Sequence, residues 1–174
     1  MRQVKITPYN EDWPTKFTKE ANILEEIFGS EIVDIHHIGS TSIMGLKAKP
    51  IIDIMPVVKD INNVALFNDA MKQIGYEVKG ENGLPGRRYF QKGGDNRTHH
   101  VHIYERDHPD IKRHLAFRDY LRMHPDVAKQ YGDLKEALTQ RFPHDIASYI
   151  KGKEQLVLTI EKKALTWYCN EMIM

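Results

Sequence analysis

His36-His37-Ile38-Gly39-Ser40-Thr41-Ser42-Ile43-Met44-Gly45-Leu46-Lys47-Ala48-Lys49-Pro50-Ile51-Ile52-Asp53-Ile54-Met55-Pro56-Val57 is the stretch on which the reading of this chain turns. An apolar strand, Ile32 to Ile38, runs into a small, hydroxyl-rich turn. A loop with two lysines follows, and a second apolar strand, Ile51 to Val58, carries one carboxylate. Small residues let the backbone approach phosphate oxygens, to which amides and hydroxyls donate. Gly39, Ser40, Thr41 and Ser42 are therefore candidate phosphate contacts. The same residues also make an ordinary polar turn, and such turns are common. Lys47 and Lys49 add positive charge, although loop lysines are usually just solvated.

Asp53 is the sharper signal. A carboxylate inside an apolar strand needs a cation, a set of donors or an exposed strand end, because burying it unpaired is costly. Period two puts Ile51, Asp53, Met55 and Val57 on one face. A Gly-Ser turn followed by a strand acid outlines a nucleotidyl-transfer site, with Asp53 on Mg²⁺. A two-metal version needs a second carboxylate at position 55, where this chain has Met55. A structural Asp paired with Arg or Lys is the competing account.

Arg97-Thr98-His99-His100-Val101-His102 forms the other constellation. In a strand, His100, His102 and Tyr104 face one way and His99, Val101 and Ile103 the other. Two imidazoles at i and i+2 suit a transition metal or a polar ligand. His37 and Asp53 are the distant candidates to complete such a site. Strand histidines satisfied by hydrogen bonds are the plainer account. Arg87, Arg88 and Arg97 are candidates to meet phosphate, since a guanidinium is planar and always charged. Arg118-Asp119 reads as an ion pair that buttresses the fold. Tyr149 and Lys153, four apart on one helix, either bracket a ligand or simply pack.

The bulk numbers set the frame. At 174 residues, with 41% hydrophobic and 28% charged side chains, the chain fits an ordinary domain with a real core rather than a disordered segment. A net charge of +1 argues against a general nucleic-acid surface, so phosphate must be met by a local cluster. The single cysteine, Cys169, excludes an intrachain disulfide and fits a reducing compartment. Met1-Arg2-Gln3-Val4-Lys5 leads into no apolar run, and no stretch reaches membrane-spanning length. A cytoplasmic protein without a membrane or nucleic-acid partner is expected.

The pattern predicts an extended segment over 1–11, with alternation at Val4 and Ile6. A helix follows from Asp12 to Phe28, capped by Asp12, opened by Pro14 and stopped by Gly29. After the two strands, a helix capped by Asn62 or Asn63 runs to about Ile74. Tyr76 to Val78 is a short strand. Arg88 to Gln91 and Thr98 to Tyr104 are two more, joined by a hairpin-like connection. Helices over 111–123, 126–142 and 145–167 complete the chain. The expectation is one domain, 1–174, with a mixed core over 1–107 and a helical tail over 108–174. No Walker loop, dinucleotide-binding glycine motif, nucleophile elbow or paired-cysteine zinc motif is present.

The chain resembles the GrpB family over nearly its whole length. The resemblance is carried by Pro8, Tyr9 and Trp13, by His37-Ile38-Gly39-Ser40-Thr41-Ser42 with Gly45-Leu46, and by Ala48-Lys49-Pro50-Ile51-Ile52-Asp53-Ile54. It continues through Arg88-Tyr89-Phe90, Arg97, His100-Val101-His102, Leu115 to Arg122, His124-Pro125, Tyr131, Leu134-Lys135, Tyr149 and Lys153. It implies an α+β fold: a nucleotidyltransferase-like mixed sheet flanked by helices, with a helical C-terminal segment. It also implies a Gly-Ser turn that faces nucleotide phosphates and a metal-binding Asp53. Related domains occur fused to dephospho-coenzyme A kinases. Met55 departs from the wider superfamily's second carboxylate.

The function expected is binding of a nucleotide, or another phosphate-bearing small molecule, with a divalent metal. Mg²⁺ or Mn²⁺ is expected, with Zn²⁺ as the alternative. Gly39, Ser40, Thr41, Ser42, Lys49, Arg88 and Arg97 would meet phosphate. Asp53, His100 and His102 would be the catalytic and metal-binding group, with His37 as a further ligand. If the protein is an enzyme, it transfers a nucleotidyl group to a small acceptor. The alternatives are a non-catalytic nucleotide or metabolite binder, which Met55 favours, and a histidine-based transition-metal protein. Homo-oligomers fit the sequence equally well.

Overall fold

The β-branched runs form the strands that their composition favours. The computed structural model describes residues 5–173. β1 (Ile32–Ile38) pairs antiparallel with β2 (Ile52–Val58), and β2 pairs parallel with β5 (His99–Glu105). β5 pairs antiparallel with β4 (Arg87–Lys92), and β4 with β3 (Tyr76–Val78). The order across the sheet is β1-β2-β5-β4-β3. β2 is buried at every position but Asp53 because it lies between two strands. Pro56, which has no amide to donate, falls between the residues Ile54 and Val57 that pair with β5.

The chain divides into two compact units. Asp12–Ile38 and Ile51–Ile111 carry the sheet. Met1–Glu11, Gly39–Pro50 and Lys112–Met174 make a mostly helical unit. The sequence expectation kept 39–50 with the sheet half.

In the sheet unit, α1 (Trp13–Phe28) packs on β1 and β2. Its buried stripe is Trp13, Glu20, Ala21, Leu24 and Phe28. Pro14 sits in the first turn, and Gly29 ends the helix at a positive φ of 55°. Asp12 stands at the N-cap without a side-chain cap bond.

The predicted helix from Asn62 is instead a 3₁₀ stretch, Ile61–Phe67, followed by α2 (Asn68–Gln73). Its cap is Asp60, whose carboxylate accepts from the Asn62 amide at 2.9 Å. Asn62 and Asn63 are not the cap because both lie inside the 3₁₀ stretch, where the Asn63 side-chain amide donates to Glu31 at 3.1 Å. Glu105 accepts from the Ile61 amide at 3.2 Å, so acids satisfy the first donors of this segment.

In the helical unit, α3 (Pro109–Met123), α4 (Pro125–Arg141) and α5 (Ile146–Ile173) run close to the expected ranges. α5 extends past the expected end at Trp167. Ile43, Leu46, Ala116, Leu121, Tyr131, Ile160 and Ala164 form the core. Among the described residues of the expected extended N-terminus, Thr7 forms a bridge with Ala48, closed by amide bonds of 2.9 and 3.1 Å. Val4 lies outside the described residues.

Candidate functional site

In the sheet unit, the period-two faces and the parallel β2–β5 register together make one cluster. Asp53 is the register partner of His100. His99 points toward α1, where its Nε2 lies 3.5 Å from Glu20. Alternation then sends His100 and His102 to the other face of the sheet. The Asp53 Oδ1 accepts from His102 Nε2 at 3.0 Å and lies 3.3 Å from His100 Nδ1. The three side chains are 14–24% exposed.

Arg97 fixes the proton on one imidazole. Its Nη1 lies 3.2 Å from His100 Nε2. A guanidinium only donates, so Nε2 is the acceptor and Nδ1 carries the hydrogen that faces Asp53. Arg97 also donates to Gln91 at 2.7 Å and to the Gly94 carbonyl at 3.1 Å. The Tyr89 ring packs against both imidazoles, with centroids 5.6 and 5.2 Å away.

Burial pushes the Asp53 carboxyl up, but the bonds and charges of His100 and His102 outweigh it and hold the group well below the usual carboxylate range. Asp53 is thus a poor proton acceptor and a good cation ligand. Its oxygen and one nitrogen from each imidazole lie within 4.8 Å of one another, which fits a single small cation. One carboxylate and two imidazoles suit Mn²⁺ or Zn²⁺ better than Mg²⁺, which prefers oxygen. Met55 is completely buried, and Asp53 is the one carboxylate in β2.

His37 is not in this group. Its ring stacks on Phe17, with centroids 4.8 Å apart and planes within 5°. Arg88 is also elsewhere. It pairs with Ile103, on the face opposite His102. Its guanidinium donates to the Arg87 carbonyl at 2.9 Å and lies 3.8 Å from Glu81.

In the helical unit, Ser40–Ser42 form a 3₁₀ turn entered from Gly39. Gly39 has φ 72° and ψ −175°, a region open to almost no residue with a Cβ. Gly39→Ala is expected to cost about 1–2 kcal/mol by thermal melting, and an unchanged melting temperature would contradict this. The Ser42 hydroxyl donates to the Gly39 carbonyl, so it holds the turn rather than a ligand. Arg122 clamps the Ser42 carbonyl through Nε at 2.9 Å and Nη2 at 2.7 Å. Thr41 is buried at 1% exposure. Ser40 is different: its Oγ accepts from Lys135 Nζ at 2.9 Å, which leaves its own proton to donate. Lys49 Nζ lies 4.5 Å from the centroid of the Tyr149 ring.

Sequence reasoning assigned no role to Lys135 or Tyr89. Lys135 carried a readable signal. Ala128, Tyr131, Lys135 and Leu138 recur at helical spacing, so a lysine stands in the apolar stripe of α4, and all four are buried. Tyr89 carried none, because an aromatic in a strand is ordinary.

A model of the family described as GrpB protein matches residues 3–163. The UPF0157 protein YqkA of Bacillus subtilis is 53% identical over 166 residues. That match takes in 95% of this chain and 48% of YqkA, so the chain spans about half the length of that relative. The crystal structure of the conserved protein GrpB from Enterococcus faecalis matches with a TM-score of 0.92 at 46% identity, over 94% of this chain and 99% of that one. Cid1 poly(U) polymerase, in a MgGTP-bound structure, matches with a TM-score of 0.53 at 14% identity, over 78% of this chain and 45% of Cid1. At that identity the likeness is one of fold: a nucleotidyltransferase-like mixed sheet with helices.

Proposed function

This chain belongs to the GrpB family, and from that premise we propose that it binds a nucleotide, or another phosphate-bearing small molecule, together with a divalent cation in the cytoplasm. The observation that carries the reading is the convergence of Asp53, His100 and His102 on one point. Asp53 supplies the charged ligand oxygen, and the imidazoles supply nitrogen donors. A cation there would neutralise phosphate oxygens and so favour displacement at phosphorus. To ligate through Nδ1, His100 gives up the proton that faces Asp53 and carries one on Nε2 instead. Arg97 would then meet a donor where it met an acceptor, and that one N–H would turn to an anionic ligand while its bonds to Gln91 and the Gly94 carbonyl remain. In the helical unit, Gly39, Ser40 and Lys49 meet phosphate.

If the protein transfers a nucleotidyl group, the acceptor oxygen bonds the α-phosphorus in line. The bond to the bridging oxygen breaks, pyrophosphate leaves with its electrons, and the acceptor's proton passes to water. Positioning and charge stabilisation carry the rate. Buried Met55 supports a second reading, in which the protein binds its ligand without turnover.

A thermal-shift panel of nucleoside triphosphates with and without Mg²⁺, Mn²⁺ and Zn²⁺ tests the proposal. Ligand at about a hundred times its dissociation constant stabilises by roughly 2.7 kcal/mol. A shift that needs nucleotide and metal together is expected. A shift with Zn²⁺ alone would favour the histidine-metal protein, and no shift in any well would contradict both.

A further inference from the structure

In the helical unit, one stripe of α5 meets Tyr120 and His124 across a groove of about 770 Å³, a volume that suits a small molecule. The stripe is a matter of spacing: Thr159, Lys162, Lys163, Thr166 and Trp167 recur three and four residues apart, on one side of the helix.

His124 sets the aromatic side of the groove. It stands at the N-cap of α4, where its carbonyl accepts from the Val127 and Ala128 amides at 3.1 Å, and its ring turns back on α3. Its Nδ1 lies 2.7 Å from the Tyr120 carbonyl, which only accepts, so Nδ1 carries a proton. That bond holds the imidazole over the Tyr120 ring, with centroids 4.0 Å apart and planes 22° from parallel. Trp167 stands nearly perpendicular to both rings, 5.7 Å from each centroid.

The polar groups of the stripe are unequal. The threonines direct their protons into their own helix, Thr159 to the Gln155 carbonyl at 2.9 Å and Thr166 to the Lys162 carbonyl at 3.2 Å. The exposed ammonium groups of Lys162 and Lys163 supply the charge. Glu161, the acid beside them in sequence, accepts from Arg113 at 3.1 Å instead. Among the described residues that line the groove, none is acidic.

This combination narrows the ligand chemistry. Aromatic side chains pack well against flat rings, and they also attract cations. Two ammonium groups beside them repel a cation and attract an anion, which rules against a quaternary-ammonium cage. A flat ring that bears an acidic group satisfies both halves of the groove. Trp167 lies beyond the residues 3–163 that the GrpB model matches, so the groove is not wholly part of the family pattern.

We infer that Trp167, Tyr120 and His124, with Lys162 and Lys163, form a site for a small planar aromatic anion, a flat ring that carries a carboxylate or a phosphate. None of these residues belongs to the Asp53 cluster, so the site does not depend on the divalent-cation reading.

2-Naphthoate, titrated calorimetrically in the presence of EDTA, is the probe. Wild type is expected to bind it and to bind 2-naphthamide, which has the same shape without the charge, at least about tenfold more weakly. Lys162→Gln combined with Lys163→Gln is expected to erase that preference: affinity for the acid falls about tenfold and affinity for the amide stays level. Both lysines are exposed, so the variant keeps its fold. Trp167→Leu is expected to weaken both ligands about tenfold. Tryptophan fluorescence locates the site, because Trp13 is 1% exposed and a quenched signal reports Trp167. 2-Naphthyl phosphate in the same titration shows which acidic group the site prefers. Failure of both acids to bind overturns the site. So does equal affinity for acid and amide in wild type, or an undiminished preference in the double-lysine variant. A dimer that Trp167→Leu dissociates, without binding of either acid, would give the groove to a second copy of the chain and overturn the site as well.

Discussion

Asp53→Asn is expected to weaken divalent-cation binding by at least about a hundredfold and to abolish cation-dependent nucleotide binding while the protein stays folded. Changing a group that only orients a metal ligand typically costs 10–100-fold, and here the charged ligand itself is lost. The substitution keeps size and shape, so the sheet has no reason to open. Asn still accepts from an imidazole, but it brings no negative charge to a cation. Titration calorimetry with Mn²⁺ and a nucleoside triphosphate reads the loss, and circular dichroism reads the fold. Unchanged affinity would remove Asp53 from the site.

Glu20→Ala is expected to lower stability by about 3 kcal/mol. Glu20 is 6% exposed on the buried stripe of α1. Its carboxylate accepts from the Tyr76 hydroxyl at 3.1 Å and from Lys92 at 2.9 Å, and His99 lies 3.5 Å away. Removing it strands a nearly buried phenol and an ammonium group together. Lys92 keeps 23% exposure and can still reach water, which holds the loss at the lower end for a broken buried pair. Urea unfolding checks the figure, and a loss under about 1 kcal/mol would show that the network is incidental. The network lies on the α1 side of β5, so the Asp53 cluster should keep its metal affinity once the variant is folded.

Local pattern carried much of this structure, and partnership between distant strands carried the rest. The β-branched runs marked β1 and β2, and alternation put His100 and His102 on one face. Nothing local says that β2 lies parallel to β5, some forty residues later in the chain. Yet that pairing sets Asp53 against His100. His37 looked equivalent to the other histidines by sequence, but its surroundings are made by Phe17 on α1, a tertiary contact.

The units interleave for a similar reason. Residues 39–50 lie between two strands of the sheet. Ile43 and Leu46 are nevertheless buried among Ala116, Leu121 and Ile160 of the helical unit. Burial of those side chains, rather than chain order, decides where the segment belongs. Lys135 was legible from its place in the α4 stripe, because a lysine at a buried helical position demands a reason.

The most direct test of the cation site is pulsed electron paramagnetic resonance of Mn²⁺ added to the protein with a nucleoside triphosphate. The account predicts one bound Mn²⁺ per chain, coupled to two imidazole nitrogens, with that coupling lost when His100→Ala and His102→Ala are combined. Bound Mn²⁺ without nitrogen coupling, or coupling that survives the double substitution, would contradict it.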